Sequence, residues 1–172
     1  MRRLDYSKLH PRFQWMRDYL EMIAPAGILP GRQHLEPHVF KPLLPFINLV
    51  DVDYDGRVMR FRYRLVGTLQ TEIAGREITG KYLEEAVLPE FMERIRRNME
   101  ICVKSREAVY DAFPMPHPNR DFMNTERIYF PLARDGRSVL WRASGVGRRT
   151  SRRPVRLVPR ASWRSRGVSR NS

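Results

Sequence analysis

Val58-Met59-Arg60-Phe61-Arg62-Tyr63-Arg64-Leu65, within the stretch Arg57 to Thr68, alternates apolar and charged residues without a break from Met59 onward. A period of two sends Met59, Phe61, Tyr63 and Leu65 to one face of a strand and Arg60, Arg62 and Arg64 to the other. The stretch reads as a half-buried β-strand. Upstream, Phe46-Ile47-Asn48-Leu49-Val50-Asp51-Val52-Asp53 leads into Tyr54-Asp55-Gly56-Arg57. Asp-Gly between two apolar runs is a strong hairpin signal. With Asp55-Gly56 as a two-residue loop, Tyr54 faces Arg57, Val52 faces Met59, Val50 faces Phe61, Asn48 faces Tyr63 and Phe46 faces Leu65. One face is then apolar apart from Asn48 and the Tyr63 hydroxyl. The other pairs Asp51 with Arg60 but sets Leu49 and Ile47 opposite Arg62 and Arg64, so another element is expected to cover part of it.

Working outward, Pro11 suits a helix start, and Phe13, Met16, Leu20 and Ile23 fall at helical spacing up to the stop at Ala24-Pro25-Ala26-Gly27. The apolar side of this helix has two readings, cover for Ile47 and Leu49 on the domain's own sheet, or a homodimer interface. Pro89 opens the longest helix, to about Lys104, with Phe91 or Met92, Ile95, Met99 and Cys102 as its stripe. That stripe is expected to close over the apolar face of the hairpin. Val109 to Met115 and Arg127 to Ala133 read as further strands, and Asp135-Gly136 offers a turn toward a last one, Ser138 to Gly145.

The chain has 172 residues and a formal charge of +13, which suggests nucleic acid until the charge is located. Residues 137–172 hold eleven Arg and no Lys, Asp or Glu, leaving +2 on residues 1–136. The lone Cys102 excludes an internal disulfide framework. No apolar run of signal-peptide length follows Met1-Arg2-Arg3, and none approaches the roughly 18 residues that span a bilayer. A cytoplasmic location is expected.

Leu29-Pro30-Gly31-Arg32, Leu43-Leu44-Pro45, Tyr63-Arg64-Leu65-Val66-Gly67-Thr68, Gly75-Arg76-Glu77-Ile78-Thr79-Gly80 and Tyr129-Phe130-Pro131-Leu132 occur in that order. Together they resemble the PAS domain, and more narrowly the proteobacterial subfamily with the Leu-Pro-Gly-Arg and Tyr-Arg-Leu-Val-Gly-Thr motifs. The resemblance covers about residues 11 to 138. It implies an α+β fold, a five-stranded antiparallel sheet in order 2-1-5-4-3 with helices on one face, often around a small ligand cavity. The division it suggests is an N-terminal helix over 1–28, the PAS-like domain over 29–146 and an Arg-rich tail over 147–172. The last strand is less apolar than the family pattern. The tail cannot bury enough apolar surface to offset ordering and is expected to be disordered. Its Arg, Ser, Pro and Gly bias is also what a GC-rich gene read out of frame produces, so residues from roughly 140 on carry a frameshift reading as well.

His34 and His38 are four apart, but Pro37 interrupts any helix between them and no third ligand is near, so no metal is expected. The long helix lacks the His on which haem usually hangs in PAS domains, and the Cys motif of flavin photosensors is absent; neither cofactor is expected. Cys102 reads as a buried structural thiol. Glu84-Glu85 and Glu90/Glu93 read as solvated helix surface, and no catalytic constellation is present, so an enzyme is not expected. The sharpest feature is Asn48 opposite Tyr63 on an apolar face, where each polar group needs a partner. A ligand, each other, a backbone carbonyl or a buried water would serve. The ligand-pocket candidates are Asn48, Val50, Phe61, Tyr63 and Leu65 from the hairpin, with Met92, Ile95 and Met99 from the helix. The function expected is a sensory or regulatory module binding a small molecule or a signalling protein and acting in trans. The alternative is nucleic-acid binding by the Arg tail, with Trp141 and Trp163 to stack on bases.

Overall fold

The structure, a computed structural model, describes residues 9–24, 28–114, 124–134, 137–147 and 156–158. Helix α1 spans Pro11–Ile23, started by Pro11 and by His10, whose Nδ1 accepts from the Arg12 amide at 3.2 Å. A short helix α2, Pro37–Phe40, and a 3-10 turn, Leu44–Phe46, lead into strand β1, Ile47–Asp55, and strand β2, Val58–Val66. Helices α3, Thr68–Ala74, α4, Leu83–Ala86, and α5, Pro89–Ser105, follow. Then come β3, Ala108–Pro114, β4, Asn124–Arg134, β5, Arg137–Gly147, and β6, Arg156–Val158. The fold mixes α and β, and every strand pairs antiparallel in the order β2-β1-β5-β4-β3-β6. β5 thus lies between β1 and β4. The sixth strand falls in the stretch expected to be disordered. The rest of that stretch, Trp163 included, lies outside the described residues.

Both faces of the sheet are covered, by two separate apolar clusters. On one side Phe13, Met16 and Leu20 of α1 pack with Ile47, Leu49, Tyr110, Ile128, Phe130 and Leu132. The apolar side of α1 therefore covers the outer face, Ile47 and Leu49 included. On the other side Ile95, Met99 and Cys102 of α5 pack with Val50, Val52, Phe61, Tyr63, Val109 and Tyr129.

The hairpin register differs from the expected one. The turn is Gly56-Arg57, so Asp55 pairs with Val58, Val52 with Phe61 and Val50 with Tyr63. The left-handed position, φ 58°, falls to Gly56, where no Cβ resists it, and Asp55 stays in the strand. A slide by two residues keeps side chains on their faces, so Phe61 and Tyr63 remain inside. It also moves Asp51 opposite Arg62 rather than Arg60, with Arg64 Nη1 3.2 Å from Asp51 Oδ2.

A β-bulge then reverses the end of β2. Val50 pairs with Tyr63 but Leu49 with Leu65, leaving Arg64 as the extra residue. Leu65 is 37% exposed, whereas Val66 packs against the inner cluster. The expected inward position of Leu65 is thus corrected, because one inserted residue shifts the phase of all that follow. Phe46, expected to face Leu65 in the strand, sits in the 3-10 turn with the Arg12 guanidinium 3.7 Å from its ring centroid.

Candidate functional site

Of the expected pocket residues, Val50, Phe61, Tyr63, Ile95 and Met99 meet in the inner cluster, with Met92 at its margin. Asn48 is buried, but it pairs with Val66 in register rather than with Tyr63. Its Oδ1 accepts from the Gly67 amide at 3.3 Å, and that amide also reaches Ile47 O at 2.8 Å. Gly67 must come this close: a Cβ there would lie 2.3 Å from Leu44 O and 2.4 Å from Pro45 O. The Asn48 carbonyl is thus met by backbone. It fastens the end of β2 to the start of β1. Leu65, exposed beyond the bulge, is not among these residues.

The concentrated polarity lies at the opposite end of the inner face, under the first half of α5. Asp111 of β3 is fully buried, between the inward-facing Val109 and Phe113. Its carboxylate accepts from Arg94 Nε at 2.7 Å, Arg94 Nη2 at 2.5 Å and Asn98 Nδ2 at 2.7 Å. Directly across the ladder from Asp111 stands Arg127, 2% exposed and the largest fully buried side chain among the described residues. Its guanidinium lies 3.6 Å from the Phe113 ring centroid, and Phe91 of α5 stacks on Phe113 at 5.6 Å. Asn98 is 1% exposed, and its Oδ1 meets no donor among the described residues.

Burying one carboxylate in an apolar interior is costly unless it is paired and its lone pairs are filled. Three donors from one helix do this for Asp111. In return its hydrogen bonds raise the Arg94 pKa against the opposing effect of partial burial, and its charge adds to the rise. The Phe113 face adds a cation-π contact to the buried Arg127. What results is a hydrogen-bonded patch on an apolar floor, joining helix to sheet, with Arg94 reaching solvent at 42% exposure.

Asp111, Asn98 and Arg127 were missed in the sequence, although each sits in phase with buried neighbours. Asp111 is two residues from Val109 and Phe113, Arg127 two from Tyr129, and Asn98 three from Ile95 on the α5 stripe. The signal was obscured because β3 is buried on both faces: Ala108, Tyr110 and Ala112 lie in the outer cluster, Val109 and Phe113 in the inner. A strand without polar-apolar contrast does not announce which face a charge is on.

A family model described as PAS domain matches residues 9–144. The chain belongs to the PAS domain family. No curated protein matches the chain at a significant level. Family membership marks it as a sensory or regulatory module, and among the described residues no helix is long and apolar enough to cross a membrane. In this PAS domain the remaining singled-out residues have local duties. His34 Nδ1 accepts from the Gly31 amide at 2.9 Å. Glu85 Oε2 accepts from the Tyr82 amide at 2.9 Å. Partial burial disfavours the Glu84 carboxylate, but its hydrogen bond from Arg96 leads the contributions that together hold its pKa below the ordinary value. Burial pushes the Cys102 thiol well above its usual pKa.

Proposed function

We propose that this PAS domain is a non-enzymatic sensory module that binds a small molecule at the polar patch between α5 and strands β3 and β4, and acts on a separate protein. The observation that carries the reading is Asn98, buried on the α5 stripe with Nδ2 committed to Asp111 and Oδ1 meeting no donor among the described residues. An unfilled acceptor beside a buried carboxylate costs about 1–3 kcal/mol, a cost that a ligand's donor removes. Few convergent polar groups on an apolar wall are also the ordinary makeup of a small-molecule site. No cofactor, haem or flavin is part of this reading. The subfamily with the Leu-Pro-Gly-Arg and Tyr-Arg-Leu-Val-Gly-Thr motifs is proposed as well. Its support is that Gly31 and Gly67 of those motifs are close-approach positions, a Cβ at Gly31 falling 2.4 Å from Ala133 O.

Native mass spectrometry of protein purified from its own host tests the reading. A bound small molecule is expected, and Asn98→Leu should lose it while Asn48→Ala keeps it in the folded fraction. Retention by Asn98→Leu with loss on Asn48→Ala would return the site to the hairpin end.

A further inference from the structure

We infer that the ligand of this patch is a small uncharged aromatic molecule with one hydrogen-bond donor, of the type of phenol or benzyl alcohol. The inference rests on the proposed ligand site and adds the chemical class of what fills it. The first observation is the orientation of Asn98. Its Nδ2 donates to Asp111 Oδ2 at 2.7 Å, a bond that the amide oxygen could not make to a carboxylate. Oδ1 is therefore the atom that faces no donor among the described residues, on a side chain that is buried. What a ligand brings to it is one hydroxyl or N–H.

The second observation is what surrounds that acceptor. Along α5, Asn98 lies one turn from Ile95 on one side and one turn from Cys102 on the other, with Phe91 two turns back on the same stripe. These residues share the inner cluster with Phe61, Tyr63, Phe113 and Tyr129. Rings together with the thioethers of Met92 and Met99 favour an aromatic body over an aliphatic one, through stacked, edge-on and sulfur–ring contacts. Phe91 and Phe113 already stack in this way at 5.6 Å. The third observation concerns charge. The Asp111 carboxylate is answered by Arg94 through both Nε and Nη2, so it calls for no ligand cation. A ligand carboxylate, for its part, has no proton to give to Oδ1. Phe91 and Met92 are half-buried, and Arg94, one turn after Phe91, reaches solvent, which sets the open side of the patch at the start of α5.

Thermal unfolding and titration calorimetry of the full chain test the class with phenol and benzyl alcohol as probes, at neutral pH where both are uncharged. Each is compared with its methyl ether, which keeps the ring and lacks the donor, with benzoate, and with the alcohol of the same skeleton on a saturated ring. At least one of the two probes should stabilise the protein saturably. The ether and benzoate should each bind about tenfold or more weaker, and the saturated-ring alcohol several-fold weaker. Asn98→Leu should bring the alcohol down to the affinity of its ether. If that variant does not fold, the comparison of ligands on the unaltered protein still decides. Equal binding of the ether, benzoate or the saturated-ring alcohol overturns the class while leaving the site. The absence of a shift with both probes also overturns the class, and native mass spectrometry of host-purified protein then separates two cases. An adduct of another class keeps the site, and no adduct removes the site as well, a buried water then being the donor to Oδ1.

Discussion

Asp111 on β3 and Arg94 on α5 are joined by two hydrogen bonds, of 2.7 Å from Nε and 2.5 Å from Nη2, although the carboxylate is fully buried and the guanidinium reaches the surface. The pair crosses the seam between helix and sheet, and Asn98 adds a third bond to the same carboxylate one turn further along α5. These three polar contacts across the seam therefore share one carboxylate.

Asp111→Asn keeps the shape but removes that charge, leaving the Arg94 head without its carboxylate. Hydrogen bonds to a charged group contribute about 1.5–3 kcal/mol. A urea titration should show a loss of that order. A loss under about 1 kcal/mol would mean that Asp111 does not hold the helix to the sheet.

The bulge at Arg64 separates Phe61 from Leu65. Phe61 is fully buried in the inner cluster, and Phe61→Ala should cost about 3–5 kcal/mol. Leu65, 37% exposed, should cost less than about 1 kcal/mol when replaced by Ala. Similar midpoint shifts for the two variants would place Leu65 inside and remove the bulge.

Gly67→Ala would force a methyl to within 2.3 Å of Leu44 O, a backbone atom that cannot swing away. Overpacking of this kind costs about 1–3 kcal/mol. Gly56→Ala meets open space and bears only the left-handed φ of 58°, a penalty of about 1 kcal/mol. Differential scanning calorimetry should rank Gly67→Ala as the more harmful. The reverse ranking would show that the β1–β2 junction has slack.

Cys102 is fully buried in the inner cluster, and burial raises its thiol pKa well above the usual value. The folded state thus holds its proton longer than the unfolded chain does. The linked stability is complete below the ordinary thiol pKa and declines as pH rises above it. Native protein at pH 8 should resist alkylation by iodoacetamide and react once unfolded in urea. Rapid labelling of the native protein would mean that the inner cluster opens at Cys102.

The hairpin and the long helix were legible because each has one polar and one apolar side, a contrast carried by neighbours in the chain. The correction at Leu65 marks the limit of that signal. Strict alternation through Arg64 and Leu65 describes a regular strand, and nothing in it reports the inserted residue. The bulge arises where β2 must meet β1 while Gly67 closes on Leu44 and Pro45.

By itself the sequence determined which residues alternate, where prolines and glycines break the chain, that one long amphipathic helix exists, and that the excess charge lies after residue 136. Those properties follow from bonded geometry and side-chain type. Tertiary structure alone decided that α1 covers the outer face and that Asn48 belongs to the Gly67 amide. It alone brought Arg94, Asn98, Asp111 and Arg127 together from a helix and two strands. A buried charge is tolerated only where distant segments bring it partners, so its place is a property of the packed fold and not of any one stretch.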